Sequence, residues 1–371
     1  MIAGGSLERP DRSKVFARLQ ELAGTTGTVG VLPTASGVPD EVGPELVEDF
    51  VGLLERERVS LIPLTTSTAS LANSTTVAEL IRRQHILYFS GGDQSRITGV
   101  FRPEGQPTPA DDATREVLRQ GGVVAGSSAG AAMQSDPMIS WGNSDEALRM
   151  GLSQEEDRGV GIAPGMGYFP YGLTDQHFLA RGRLGRLITA QFLTGQRFGW
   201  GVDEKRAMEV DLAQHTVTAV GEQCFLLSDI DGATSGVGQV KGIRLALLTH
   251  RDRVNAKTGE VTPSAESTPL KVGEAVDGLD GDLDRAGRAG RTEAWDPFVI
   301  PMAMRRVLAT GQPVVVDAPS HIVTFRPGQD LAGWKGPEGE LDYGVKGVLM
   351  DVESKTSEGS STNSSTRGNR R

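Results

Sequence analysis

A serine attacks a carbonyl only where its surroundings supply a base for its proton and donors for the oxyanion that forms. Residues 126–130 have the composition for such a nucleophile. They read Gly126-Ser127-Ser128-Ala129-Gly130, a Gly-x-Ser-x-Gly run centred on Ser128. Val123-Val124-Ala125 enters it as a buried strand, and Ala129 to Met133 reads as the first turn of a helix. So tight a strand-to-helix turn needs small neighbours, because the serine backbone is strained and its hydroxyl is lifted clear of the sheet. The Ala129 N–H then lies beside it as one oxyanion donor. The competing reading is a tight turn between buried elements that happens to contain serine.

A base must come from five histidines. His85 precedes an apolar strand, His215 lies in a turn, and His250 and His321 lie beyond the alternating part of the chain. His177 alone falls in a polar cluster, Asp175-Gln176-His177, at the entrance to a helix, and is the expected base. No two histidines have metal-ligand spacing, so neither a metal nor a cofactor is expected. For the acid that orients the imidazole, Glu204 is favoured at the end of the strand Trp200-Gly201-Val202. Its neighbour Asp203 points the other way if the chain is still extended there. Asp145 and Glu146 compete for the role, and Asp175 is too near His177 in sequence for easy triad geometry.

The second oxyanion N–H is expected from Gly92, in the turn Ser90-Gly91-Gly92-Asp93-Gln94, where glycine lets the backbone approach a reacting carbonyl. A plain turn is the alternative. Arg181, Arg183 and Arg186 follow the base, and a solvated helix face is the default for any one of them. Arg183 and Arg186, three apart, are expected to share a face and bind a carboxylate by bidentate contacts. Gln94 and Gln176 are placed to hydrogen-bond an amide or a guanidinium.

The elements around these residues alternate strictly. Helix 11–23, strand 28–33, helix 43–57, strand 59–64, helix 75–84, strand 86–89 and helix 110–120 precede the Ser128 strand. Strands that are apolar throughout are buried on both faces, which predicts an α/β fold: a mostly parallel sheet flanked by helices, with sites at the carboxyl ends of its strands. Gly91-Gly92 and Ser128 therefore share one edge. Residues 142–172 read as loop, and a helix spans about 180–193. Past residue 207 the pattern turns to short alternating strands, predicting a β-rich carboxyl-terminal extension. The expected division is a catalytic unit over 1–230, an extension packed on it over 231–352 with a Gly/Asp-rich loop at 251–296, and a disordered Ser/Thr-rich tail over 353–371. Asp280-Gly281-Asp282-Leu283-Asp284 mimics the start of a calcium loop, but Arg285 and Arg291 occupy the positions of its glycine and glutamate, so a solvated loop is expected.

The chain has 371 residues and a net charge of −10, which argues against nucleic acid or an anionic membrane as partner and suits a cationic substrate. No apolar run is long enough to span a membrane. Cys224 is the only cysteine and is expected to be a buried thiol. A cytoplasmic location is the expectation, with secretion left open by the abrupt start Met1-Ile2-Ala3-Gly4-Gly5.

Taken together, Ile86 to Gln94, Gly126 to Met133, Asp175-Gln176-His177-Phe178 with Arg181, Arg183 and Arg186, and Gly201-Val202-Asp203-Glu204 resemble the serine peptidase family that contains cyanophycinase and aspartyl dipeptidase, in its cyanophycinase branch. The resemblance covers roughly residues 1–230 and implies a class I glutamine amidotransferase-like fold and a homodimer. It implies hydrolysis of cyanophycin, a polyaspartate carrying arginine on each side-chain carboxyl, to β-aspartyl-arginine through an acyl-enzyme on Ser128. By the same resemblance His177 transfers protons, Glu204 orients it, and Gln94, Asp175, Gln176, Arg181, Arg183 and Arg186 hold the dipeptide unit. Two departures are visible: the amino-terminal turn lacks the acidic residues expected directly after Gly4-Gly5, and the chain beyond 250 is longer than a minimal member. The rival readings are a peptidase for α-aspartyl or other isoaspartyl dipeptides, an inactive binding protein of the same fold, and an α/β-hydrolase esterase whose acid lies between Ser128 and His177.

Overall fold

A computed structural model describes residues 1–151, 158–236, 238–273, 293–337 and 342–355. Its first sheet has nine strands. Ile2–Ala3, Val123–Ser127, Ile86–Phe89, Val29–Leu32 and Val59–Leu61 run parallel in that order. On the other side of Ile2–Ala3 the antiparallel strands Ala207–Asp211, Thr216–Val220, Arg253–Asn255 and Val261–Thr262 complete it. The inner strands Val29–Leu32 and Ile86–Phe89 are buried throughout, which accounts for their lack of polar residues, whereas the edge strand Val59–Leu61 is buried only at Val59.

Helices cover this half. Lys14–Ala23 starts at Ser13, whose hydroxyl accepts the Phe16 N–H, and packs Val15, Phe16 and Leu19 against Val29, Val31, Tyr88 and Ala125. Pro109–Arg119 begins with a Thr108 cap and an N-terminal proline, a strong helix start.

The second sheet, also of nine strands, is antiparallel but for one pair. Leu173–Asp175 lies parallel to Phe198–Val202, followed by Phe225–Asp229, Gln239–Leu248, Tyr343–Ser354, His321–Lys335 and Thr268–Leu270. Hydrogen-bonded pairing thus continues across residue 230. Leu184–Thr194 and Val299–Thr310 bury their apolar sides on this sheet. Ile2, Trp200, Phe225 and Val217 form a core shared by the two sheets.

Some elements differ from the sequence expectation. Residues 142–172 are more than loop: Met138–Gly142 pairs with Val160–Ala163, and Ser144–Met150 is a helix capped by Asn143. The helix after His177 begins only at Leu184, so Arg181 precedes it and Arg183 is its first flanking residue. The strand Phe198–Val202 belongs to the second sheet, and the chain crosses to the first through Asp203–Arg206. The calcium-like stretch at 280–284 and tail residues 356–371 lie outside the described residues. Cys224 is buried, which pushes its thiol up to about 12. Among the described residues no helix is long and apolar enough to cross a membrane.

Candidate active site

Four strand ends converge. Ala3 pairs with Ser127, so Gly4 and Gly5 emerge beside Ser128. In the second sheet Asp175 pairs with Gly201, so the parallel strands release His177 and Asp203-Glu204 at the same end. Two backbone bonds join the ends across the gap between the sheets: His177 N–H donates to Gly4 O at 2.8 Å, and Lys205 N–H to Gly5 O at 2.8 Å. A Cβ on Gly5, whose φ is +109°, would overlap the His177 ring, so only glycine permits this approach.

At the turn, Ser128 has φ +55° and ψ −109°, a sparsely populated conformation for a side-chain-bearing residue. The flanking glycines are needed there: a Cβ on Gly126 would strike the Gly130 carbonyl, and one on Gly130 the Phe89 carbonyl. Ser128 Oγ lies 2.9 Å from His177 Nε2, and His177 Nδ1 lies 2.6 Å from Glu204 Oε1. With Nδ1–H donating to the carboxylate, Nε2 is left to accept the serine proton.

The electrostatics favour that tautomer. Burial pushes the imidazole below its usual value, and the charges of Arg181 and Arg183 add to this while the bond with Glu204 opposes it. Burial acts to raise the Glu204 carboxyl, but bonds with His177 and Ser6 and the Arg181 charge outweigh it and hold the carboxyl low. A neutral imidazole beside an ionised carboxylate is the resting state required of a base and its orienting acid.

For the oxyanion, Ala129 N–H is at the first position of its helix, with no carbonyl one turn earlier to take it. A Cβ on Gly91 would be 3.4 Å from Ser128 Cβ, so the Gly91-Gly92 turn faces the serine closely. Asp93 N–H bonds Ala35 O and its carboxylate caps the following helix through Ser95 N–H, which fixes that turn.

The proposed binding residues do not all remain open to a ligand. Arg186 and Asp175 are buried and joined by two hydrogen bonds, Nε to Oδ2 at 2.8 Å and Nη2 to Oδ1 at 2.5 Å, with Arg186 Nη1 on Gly142 O at 2.8 Å. Asp175 and Arg186 thus engage each other here, where the sequence reading sets Arg183 and Arg186 as a joint carboxylate clamp and Asp175 against the substrate. The Asp175–Arg186 pair ties the strand before His177 to the helix after it, and breaking it costs about 3–5 kcal/mol. Arg183 reaches back to Gln176, with Nη1 2.7 Å from its carbonyl and 2.9 Å from its Oε1. Burial lowers its guanidinium to about 10. Arg181 is exposed. Gln94 Nε2 donates to Ser140 O at 2.7 Å, anchoring the hairpin beside the site. The other acid candidates are engaged elsewhere: Asp145 accepts from Ser320 N–H and Oγ, and Glu146 pairs with Arg149. Among the described residues no cluster of three or more His, Cys, Asp or Glu side chains could hold a metal ion.

Asp203 has a role that sequence reasoning missed. It is fully buried, and its Oδ1 accepts Leu179 N–H at 3.1 Å and Ala180 N–H at 3.0 Å. It thereby fastens the turn after His177, whose own φ of +47° is strained, to the strand end that carries Glu204. The signal was the turn itself: a carboxylate directly after a strand, facing a helix entrance, caps free N–H groups. Asp203→Ala is expected to lower kcat by about 100-fold with KM little changed, as small misplacements of a base do. Asp203→Asn keeps the accepting oxygen and should retain most activity; equal losses in both variants would refute the clamp.

Residues 1–177 match peptidase family S51. The chain is 28% identical over 269 residues to the cyanophycinase of Geminocystis herdmanii, covering 70% of this chain and 93% of that one. It is 29% identical over 281 residues to the cyanophycinase of Synechococcus elongatus, covering 73% and 83%. A solved peptidase structure from an acI-B1 actinobacterium aligns with a TM-score of 0.43 at 17% identity, over 71% of this chain and 93% of that one.

Proposed function

We propose that this chain, a cyanophycinase-like peptidase of family S51 and a serine-type hydrolase, cuts the polyaspartate backbone of cyanophycin and releases β-aspartyl-arginine. The observation that carries the reading is the continuous chain Ser128 Oγ, His177 Nε2, His177 Nδ1, Glu204 Oε1, at 2.9 and 2.6 Å. The names of its relatives supply the substrate.

The geometry suggests these steps. Ser128 Oγ attacks a backbone carbonyl carbon while His177 Nε2 takes the hydroxyl proton. The oxyanion is received by Ala129 N–H and the Gly91-Gly92 turn. The C–N bond breaks as His177 returns that proton to the departing amine, leaving an acyl ester on Ser128. Water then gives a proton to His177 and attacks the ester, and His177 reprotonates Ser128 as the carboxylate leaves. Glu204 stabilises the imidazolium in both halves and stays ionised throughout. Exposed Arg181 and partly buried Arg183 put cationic charge beside the base, suited to substrate carboxylates. The amide oxygen of Gln176 is already used by Arg183, so Gln176 supports that arginine.

Incubating the protein with purified cyanophycin and identifying soluble products by mass spectrometry tests the reading. β-Aspartyl-arginine is the expected product. Turnover of short aspartyl dipeptides without release from cyanophycin would replace it with an aspartyl dipeptidase.

A further inference from the structure

Apart from the active site, the described residues enclose a cleft of about 600 Å³ between the helix Lys14–Ala23 and the antiparallel wing of the first sheet. Its floor is one face of three strands. Met208, Val217, Ala219 and Val254 point away from it into the core between the sheets. Glu209, Asp211, Thr216, Thr218 and Arg253 occupy the opposite face by strand alternation and line the cleft. The helix covers the parallel strands and leaves this polar floor open along its side.

Charge is sorted along the cleft. The helix runs antiparallel to the strand before it in a right-handed layer fold, so Lys14 lies toward the catalytic edge and Glu21 away from it. Lys14, His250 and Arg251 line the end near Val220, while Glu21, Glu209 and Asp211 lie farther down. Burial, with Lys14 and Arg251 nearby, pushes His250 down to about 4, so it is neutral. Its Nδ1 accepts Gly221 N–H at 3.1 Å, which puts the ring proton on Nε2 as a donor. Arg18 spans the middle, held by Glu209 at 2.6 and 2.8 Å.

The cleft also lies on the catalytic edge. Ser127 pairs with Ala3, Ala3 with Ala207, and Ala207 with Val220 at its mouth. Three strand spacings are about 14 Å, which about four residues of extended backbone span.

We propose that this cleft is an exosite for a polyampholyte chain, holding units of the substrate that lie about four backbone residues from the scissile bond. The inference rests on the reading of the substrate as cyanophycin, in which every unit carries a carboxylate and a guanidinium. The carboxylates meet Arg253 and the guanidinium groups meet Asp211, since Arg18 already holds both oxygens of Glu209 and Glu266 holds Arg251. A uniformly anionic polymer fits poorly, because three of the seven charged side chains in the lining are acidic and the protein itself carries −10.

The test uses Arg253→Glu and, separately, Thr218→Tyr, which reverses charge on the floor or fills it without touching the catalytic residues. Two substrates are compared: the polymer, and a fragment of two β-aspartyl-arginine units too short to bridge about 14 Å. Each variant is expected to raise KM for the polymer about tenfold, as lost charge complementarity does, with kcat/KM for the fragment unchanged. Equal effects on both substrates, or no effect on the polymer, would overturn the exosite. Co-sedimentation of Ser128→Ala protein with insoluble polymer separates this from failure of the parent reading. Binding weakened about tenfold by Arg253→Glu supports the cleft even where turnover is absent, and binding unaffected by it overturns the cleft even where wild-type protein cleaves cyanophycin.

Discussion

Ser128→Ala is expected to eliminate cyanophycin hydrolysis, lowering kcat by about 10⁴-fold or more while leaving the fold intact. No other change to the chain should cost as much, because the serine is the atom to which the acyl group is transferred. The size of the loss follows from the mechanism: base, acid and oxyanion donors act as a unit, so removing the nucleophile leaves only what binding and the donors achieve with water. Stability should move by no more than about 1 kcal/mol. Alanine meets the same strain as serine at φ +55°, and the single bond lost is to a ring held on its other side by Glu204. Matching thermal unfolding with absent turnover is the expected pair of results. A serine-directed phosphonate should label the wild type and not the variant. Turnover above a tenth of wild type in Ser128→Ala would remove the acyl-enzyme from the mechanism.

The parts of this site that are legible in the sequence are those decided locally. Ile86–Phe89 and Val123–Ser127 announce themselves because a parallel strand buried on both faces is an apolar run, and glycine follows each where the chain must turn sharply. What is not legible depends on partners far off in sequence. Nothing in Asp175 or Arg186, eleven residues apart, says that each side chain neutralises the other in the interior rather than facing a ligand. Nor does the strand Trp200-Gly201-Val202 reveal that it lies in a different sheet from Ser128, so that Glu204 arrives across the junction of two sheets. The long antiparallel strands His321–Lys335 and Tyr343–Ser354 are obscured by Pro327, Gly333 and Gly344, which read as turns. The structure absorbs Pro327 at a register shift between the two strands, where a missing N–H is tolerated. The helix Ser144–Met150 did carry a signal: Asn143 followed three residues later by Glu146, whose N–H the Asn143 side chain caps.

Glu204→Gln tests the acid most sharply, because two effects of opposite appearance are expected from one substitution. The plateau of kcat should fall by about 10³–10⁴-fold, since an amide can present its NH₂ to Nδ1, favour the wrong tautomer and leave the imidazolium without a counter-charge. The pH profile should also move. In wild type His177 must be neutral to act, so activity rises as pH increases through its pKa, which burial sets below the usual imidazole value, and is flat above it. Glu204 stabilises the protonated ring and so holds that pKa up. Removing the charge lets the pKa fall further, and the acidic limb of the residual activity should shift to lower pH. A substitution that merely loosened the site would lower the plateau without moving the limb in that direction. Asp145→Asn is the control: its carboxylate serves Ser320 and His321, so neither plateau nor limb should change. Full activity in Glu204→Gln, with loss in Asp145→Asn, would instead assign the acid to the segment between Ser128 and His177, as in an α/β-hydrolase.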